Sequence, residues 1–147
     1  MDSDSSKTNP AEESRPYGQG DASYCAAGGY EGIKILVEMF YRYMDELPEA
    51  RTIRQMHPED LTVSRDKLTR FLCGWLGGEK LFSQKYGPIV IPVAHAHLKI
   101  GEAERDAWML CMERAVEEQP YKEDFKRYLL EQLLVPAERI RLACAKP

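Results

Sequence analysis

His95 ends a stretch poor in ionisable side chains, Ile89-Val90-Ile91-Pro92-Val93-Ala94-His95, and is followed by Ala96-His97-Leu98-Lys99-Ile100. A new amphipathic segment then carries Glu104-Arg105-Asp106-Ala107-Trp108. A neutral imidazole offers one nitrogen lone pair to a metal ion, so His95 is a candidate ligand. Trp108 lies thirteen residues on (108 − 95) and brings an indole N–H donor from the next element. A single histidine near apolar residues is more often a satisfied core or surface residue, and ligation needs further partners to justify it. Tyr41, His57, Ser64 and Leu68 are those partners, drawn from segments whose amphipathic faces can all turn inward. Each also has an ordinary reading. Tyr41 and Trp108 serve equally as core aromatics with their polar tips bonded to backbone. His57 before Pro58 suits a turn, and Ser64 suits the first turn of a helix.

Other chemistries find no support in the residue pattern. There is no phosphate-binding glycine loop, HExxH pair, nucleophile elbow or calcium loop. Three histidines and carboxylates scattered among Lys and Arg give no hydrolytic triad. The net charge of −4, without a dense basic cluster, argues against nucleic acid as the main partner. The longest apolar runs are too short to span a bilayer, and the N-terminus lacks a basic region followed by an apolar stretch. Cys25, Cys73, Cys111 and Cys144 are widely spaced, without a CxxC pair. They are expected as free thiols in a reducing cytoplasm.

The elements that must position these residues are helical. At 147 residues, 44% of them hydrophobic, the chain fits one domain with a real core. Residues 1–20 are rich in Asp, Ser, Glu, Pro and Gly, and are expected to be a mobile extension. Ile33, Leu36, Val37, Phe40, Tyr41 and Met44 recur at helical spacing over 30–46, before Pro48. A short charged turn of helix over about 49–55 leads to His57-Pro58. Ser64, Leu68, Phe71, Leu72 and Trp75 share one face of a helix over about 62–76, which Gly77-Gly78 ends. Residues 79–94 read as one short helix followed by an irregular connector. Helix 102–118 turns Trp108, Cys111, Met112 and Ala115 inward. Helix 122–135 carries Phe125, Tyr128, Leu129 and Leu133, and Pro136 is expected to kink or interrupt it before a piece containing Ile140 and Leu142. No segment alternates as a strand, so an all-α bundle or globin-like packing follows.

Between residues 28 and 142 the chain resembles the group II truncated haemoglobins. The resemblance rests on Gly29, Phe40-Tyr41, His57-Pro58-Glu59-Asp60-Leu61-Thr62, Phe71-Leu72-Cys73-Gly74-Trp75-Leu76-Gly77-Gly78, Tyr86-Gly87, His95 and Glu104-Arg105-Asp106-Ala107-Trp108. It implies a two-over-two helical sandwich enclosing haem b, with residues 21–147 as the globin domain. By position, His95 resembles the proximal iron ligand. Tyr41, His57 and Trp108 resemble the polar distal set, with Ser64 and Leu68 completing that wall. Leu68, Phe71 and Tyr86 fall at haem-contacting positions, and Lys67 at one that meets a propionate. Three departures stand out. Ala94 occupies a position that is often a propionate-binding arginine. His97-Leu98 replaces a common Pro-Phe pair. His57 stands where tyrosine or phenylalanine is frequent, and a histidine there can donate a hydrogen bond or ligate the iron if the segment moves.

The resemblance implies binding of O₂ and other small ligands, with NO, CO and peroxide as further candidates. Donors such as Trp108 and Tyr41 suit a charged bound ligand, because a buried hydrogen bond to a charged group contributes about 1.5–3 kcal/mol. Slow release favours chemistry on the bound ligand: NO detoxification as a dioxygenase, or peroxidase-like turnover supplied by an unidentified reductase. The rival reading is a non-catalytic ligand-binding or sensing globin. A monomer or weak homo-oligomer is expected, with no nucleic-acid or membrane partner.

Overall fold

The computed structural model describes residues 15–145, and no strand forms among them. A short helix α1 (Ala22–Ala26) precedes α2 (Gly29–Glu46), the central helix of the fold. Ile33, Leu36, Val37, Phe40 and Met44 on α2 are all essentially inaccessible, as their helical spacing requires. Leu47 is extended, and Pro48 opens a 3-10 turn (Pro48–Ala50) that runs into α3 (Arg51–Gln55). Proline is well placed there, since the first helical position leaves its N–H unpaired in any case. Then come α4 (Thr62–Trp75), α5 (Leu81–Tyr86), α6 (Ile91–His95), α7 (Glu102–Glu117) and α8 (Glu123–Ala145).

The long helices form two stacked pairs. Helix α2 packs on α4 and on α7, while α7 packs on α8, which gives a two-over-two arrangement. The short helices α5 and α6 hang from this frame, α5 against α4 and α6 against α8. Phe125, Leu129 and Leu133 form the buried stripe of α8, and Ala107, Cys111, Met112, Ala115 and Val116 that of α7. An ion pair also ties α7 to α8, with Arg105 Nη1 2.6 Å from Glu138 Oε1. Hydrogen bonds from Arg141 and Arg105 hold the Glu138 carboxyl down to about 2.

Two proline-bearing segments differ from expectation. The stretch expected as an irregular connector contains a second helix, α6, with Pro92 in its first turn. There proline acts as a helix starter rather than a breaker. Helix α8 runs unbroken through Pro136. Leu133 and Ala137, on either side of the missing backbone bond, are both buried, and their packing holds the helix across it. The N-terminal boundary also differs. Residues 1–14 of the expected extension lie outside the described residues, but 15–20 are packed against the domain. Tyr17 lies 5.1 Å from the rings of both Phe125 and Tyr128, and its hydroxyl donates to Asp124 at 2.8 Å.

Gly77 closes α4 with φ +101°, and a Cβ there would sit 2.0 Å from the Gly20 carbonyl oxygen. This close approach joins the N-terminal segment to the end of α4, beside the bond from Tyr24 N–H to the Leu76 carbonyl (3.0 Å). Gly87 has a similar φ of +86° but open space where a Cβ would lie. Gly87→Ala should therefore cost only backbone strain, about 1–3 kcal/mol. Gly77→Ala should cost more, because the carbonyl must also move. Urea unfolding of both variants measures the difference, and equal losses would show that the Gly20 contact carries no strain.

Candidate functional site

Between the helix pairs and the short helices lies a cavity of about 430 Å³ with mostly apolar walls. Its size and character are those of a small-molecule or cofactor site. Helix α2 contributes Tyr41, the turn after α3 contributes His57, and α4 contributes Ser64, Lys67, Leu68 and Phe71. His95 enters from α6 and Trp108 from α7. The structure thus brings together eight of the nine residues singled out in the sequence. The ninth, Tyr86, is not on the wall. Its hydroxyl donates instead to Asp66 at 2.5 Å, and Lys67 Nζ lies 5.3 Å from the centre of its ring. Asp66 also accepts from Lys85 (2.9 Å) and Arg70 (3.0 Å). Burial alone would raise its pKa, but these three donors together bring it down to about 2. Tyr86 is therefore bound to a carboxylate of α4, at a position where a haem contact was expected.

His95 is the last residue of α6, and its Nδ1 lies 2.8 Å from the Ile91 carbonyl one turn earlier. A carbonyl oxygen only accepts, so Nδ1 carries the proton and the lone pair of the neutral ring is on Nε2. This is the arrangement of an imidazole oriented for a metal, with the second nitrogen anchored to backbone. The His95 carbonyl accepts twice, from Leu98 N–H (3.0 Å) and from the Cys144 thiol of α8 (3.1 Å). His97 is exposed, lines the same cavity, and has no hydrogen-bond partner among the described residues.

The other side of the cavity is built around Phe40. Its ring meets Tyr41 at 4.9 Å and Trp108 at 5.1 Å, both edge to face. Tyr41 in turn meets the His57 ring at 5.7 Å. Neither the Tyr41 hydroxyl nor the Trp108 indole N–H has a protein acceptor among the described residues. Burial pushes the Tyr41 phenol up to about 12, so it stays protonated and able to donate. His57 repeats the pattern of His95, with Nδ1 2.8 Å from the Ile53 carbonyl four residues back. Its Nδ1 proton is spent on backbone. The neutral ring cannot donate from Nε2, contrary to the donor role that its position allowed. Burial pushes the ring's pKa below its ordinary value.

Sequence reasoning missed the wall that α8 supplies: Leu133, Pro136, Ala137 and Ile140. Their spacing of i, i+3, i+4 and i+7 is a helical face, hidden when Pro136 is taken as an interruption. The two Ile-x-x-x-His patterns, Ile53 to His57 and Ile91 to His95, were a second available signal. On a helical turn that spacing places a ring nitrogen at the earlier carbonyl.

The fit to a planar iron cofactor rests on these observations: a mostly apolar cavity, an anchored imidazole with its lone pair free, and polar donors grouped around one buried aromatic ring. Comparison with known proteins agrees. The bacterial-like globin family matches residues 22–139. A group II 2-on-2 haemoglobin of Agrobacterium tumefaciens has a similar structure, with a TM-score of 0.77 and 34% identity over 81% of this chain and 92% of that one. The group II truncated haemoglobin of Bacillus anthracis gives a TM-score of 0.73 and 30% identity, covering 80% and 88%. Group 2 truncated haemoglobin YjbI of Bacillus subtilis is 27% identical over 112 residues, 76% of this chain and 83% of that protein. On its sequence, its two-over-two fold and its cavity, the chain belongs to the group II truncated haemoglobins.

Proposed function

We propose that the protein holds haem b in the cavity through His95 Nε2 and binds O₂ and other small diatomic ligands beside Tyr41 and Trp108. The observation that carries this reading is the His95 ring, tied to the Ile91 carbonyl at Nδ1 and lining a mostly apolar cavity of about 430 Å³. Haem, when bound, would supply an iron able to take up a small diatomic ligand. The chain's own residues do the rest. Leu68, Phe71, Leu133 and Ile140 would exclude water from the cavity, while Lys67, exposed on α4, would offer a cation to a propionate. The group at position 94 is a methyl, so α6 adds no cation of its own beside His95.

Tyr41 and Trp108 present two donors to the same space, which favours a ligand that gathers negative charge and leaves slowly. That supports redox chemistry on the bound ligand, either oxidation of NO or turnover of peroxide, with electrons from an unidentified reductase. None of the four cysteines is in a disulfide, and among the described residues no helix is long and apolar enough to cross a membrane. Both suit work in the cytoplasm.

His95→Ala should abolish or severely weaken haem retention, whereas His97→Ala should leave the visible spectrum nearly unchanged. The reverse pattern in purified proteins would exchange the two roles. Trp108→Phe keeps most of the apolar area and deletes the N–H, so it isolates the hydrogen bond. O₂ dissociation measured by stopped flow should accelerate about tenfold or more, from the worth of one buried charged hydrogen bond. An unchanged rate, with Tyr41 also replaced in a double variant, would leave Trp108 as packing only.

A further inference from the structure

His57 has a chemical orientation that O₂ binding does not use. Its Nδ1–H donates to the Ile53 carbonyl, so its Nε2 is a bare lone pair on the wall shared with Tyr41 and Trp108. A ligand without a proton, such as O₂ or CO, has nothing to give that nitrogen. A weak acid that binds as its conjugate base has a proton to lose and a charge to place. The cavity offers for these one acceptor and, beside it, two donors, the Tyr41 hydroxyl and the Trp108 indole N–H. The proton and the anion are thus recognised by different residues of one wall.

Resting on the haem reading above, we propose that His57 is the proton acceptor for weak-acid ligands of this cavity, with hydrogen peroxide as the substrate class. The step is balanced within the cavity. The O–H bond of the peroxide breaks, its electron pair stays on oxygen, and the proton forms an N–H bond at His57 Nε2. No electron is transferred and no further reactant is needed. The imidazolium keeps its bond to Ile53, and the hydroperoxide anion meets the donors of Tyr41 and Trp108.

The electrostatics of the ring suit this task. Burial, Arg54 on the adjacent turn and His95 across the cavity all disfavour a resident proton on His57, while the Ile53 carbonyl favours one. Arg54 is itself engaged by Asp45 at 2.5 Å and by the carbonyls of Pro58 and Glu59, both at 2.9 Å. Arg65 is the charge that reaches Tyr41. The ring is therefore neutral when the cavity is free of anions. The anion left behind by the ligand offsets the cost of charging it, so proton and anion enter together.

Hydrogen cyanide, a weak acid that binds ferric haem as its anion, is the direct probe. It would be mixed with the haem-loaded ferric full chain at neutral pH in weakly buffered indicator dye. If His57 takes the proton, wild type releases far less than one proton per cyanide bound, whereas His57→Phe and His57→Gln release about one. The association rate of hydrogen peroxide, divided by that of CO in the same variant, should fall about a hundredfold in both. A wild type that binds CO yet releases a full proton per cyanide overturns the proposal and leaves the haem reading intact. So does an unchanged peroxide-to-CO ratio in both variants. Failure of wild type to take up haem or bind CO would overturn both readings. The wild-type proton count decides the matter even if a variant is unstable.

Discussion

Phe40 stands where α2 meets α7, and the geometry of the polar wall depends on it. Its ring is fully buried on α2, with the edge-to-face contacts of Tyr41 on one side and Trp108 on the other. Aromatic contacts of this kind add about 0.5–1.5 kcal/mol beyond area burial and fix the relative tilt of the rings. Tyr41 and Trp108 come from different helices and bring their polar atoms to one space because a third ring, itself unable to hydrogen bond, sets their spacing. Tyr41 passes the constraint on to His57. The polar wall is thus organised by an apolar residue that does not itself line the cavity.

The two sides of the cavity differ in their support. The distal donors sit on long helices with buried stripes. The proximal helix α6 has five residues, none of them buried, and Val93 is among the most exposed large apolar residues described. Such an element has little stability of its own. Its position comes from α8, which packs along it and reaches the His95 carbonyl through Cys144. Stiff donors face a short helix, bearing His95, that is fastened from outside, so that side of the cavity is the softer of the two.

Much of this was legible in the sequence. The stripe from Ile33 to Met44 defines α2, and the His95 and Trp108 motifs, with Tyr41 and Ser64, give the membership and most of the wall. What was not legible has identifiable causes. The segment around Pro92 reads as a connector and Pro136 as an interruption, whereas Pro92 lies in a first turn and Pro136 is held by buried neighbours. Tyr86 was assigned by position, but Asp66 competes for its hydroxyl, and a pairing between residues twenty apart in the chain leaves no local pattern. The proton of His57 was hidden for a different reason. Residue type gives an imidazole but not its tautomer, which only the three-dimensional place of the Ile53 carbonyl decides.

The bond from Cys144 to the His95 carbonyl spans forty-nine residues and lies in the last helical turn described. Chains emerge from the ribosome N-terminus first, and domains settle as units once their parts are available. Tyr41, His57, Trp108 and His95 itself are all made before α8 exists. Until α8 has emerged, the cavity lacks the wall of Leu133, Ala137 and Ile140, and α6 has nothing to lie against. Cofactor capture therefore waits on the emergence of α8. A nascent chain paused before α8 would display His95 on an unsupported turn, and one that has made α8 can close the cavity walls around whatever they hold.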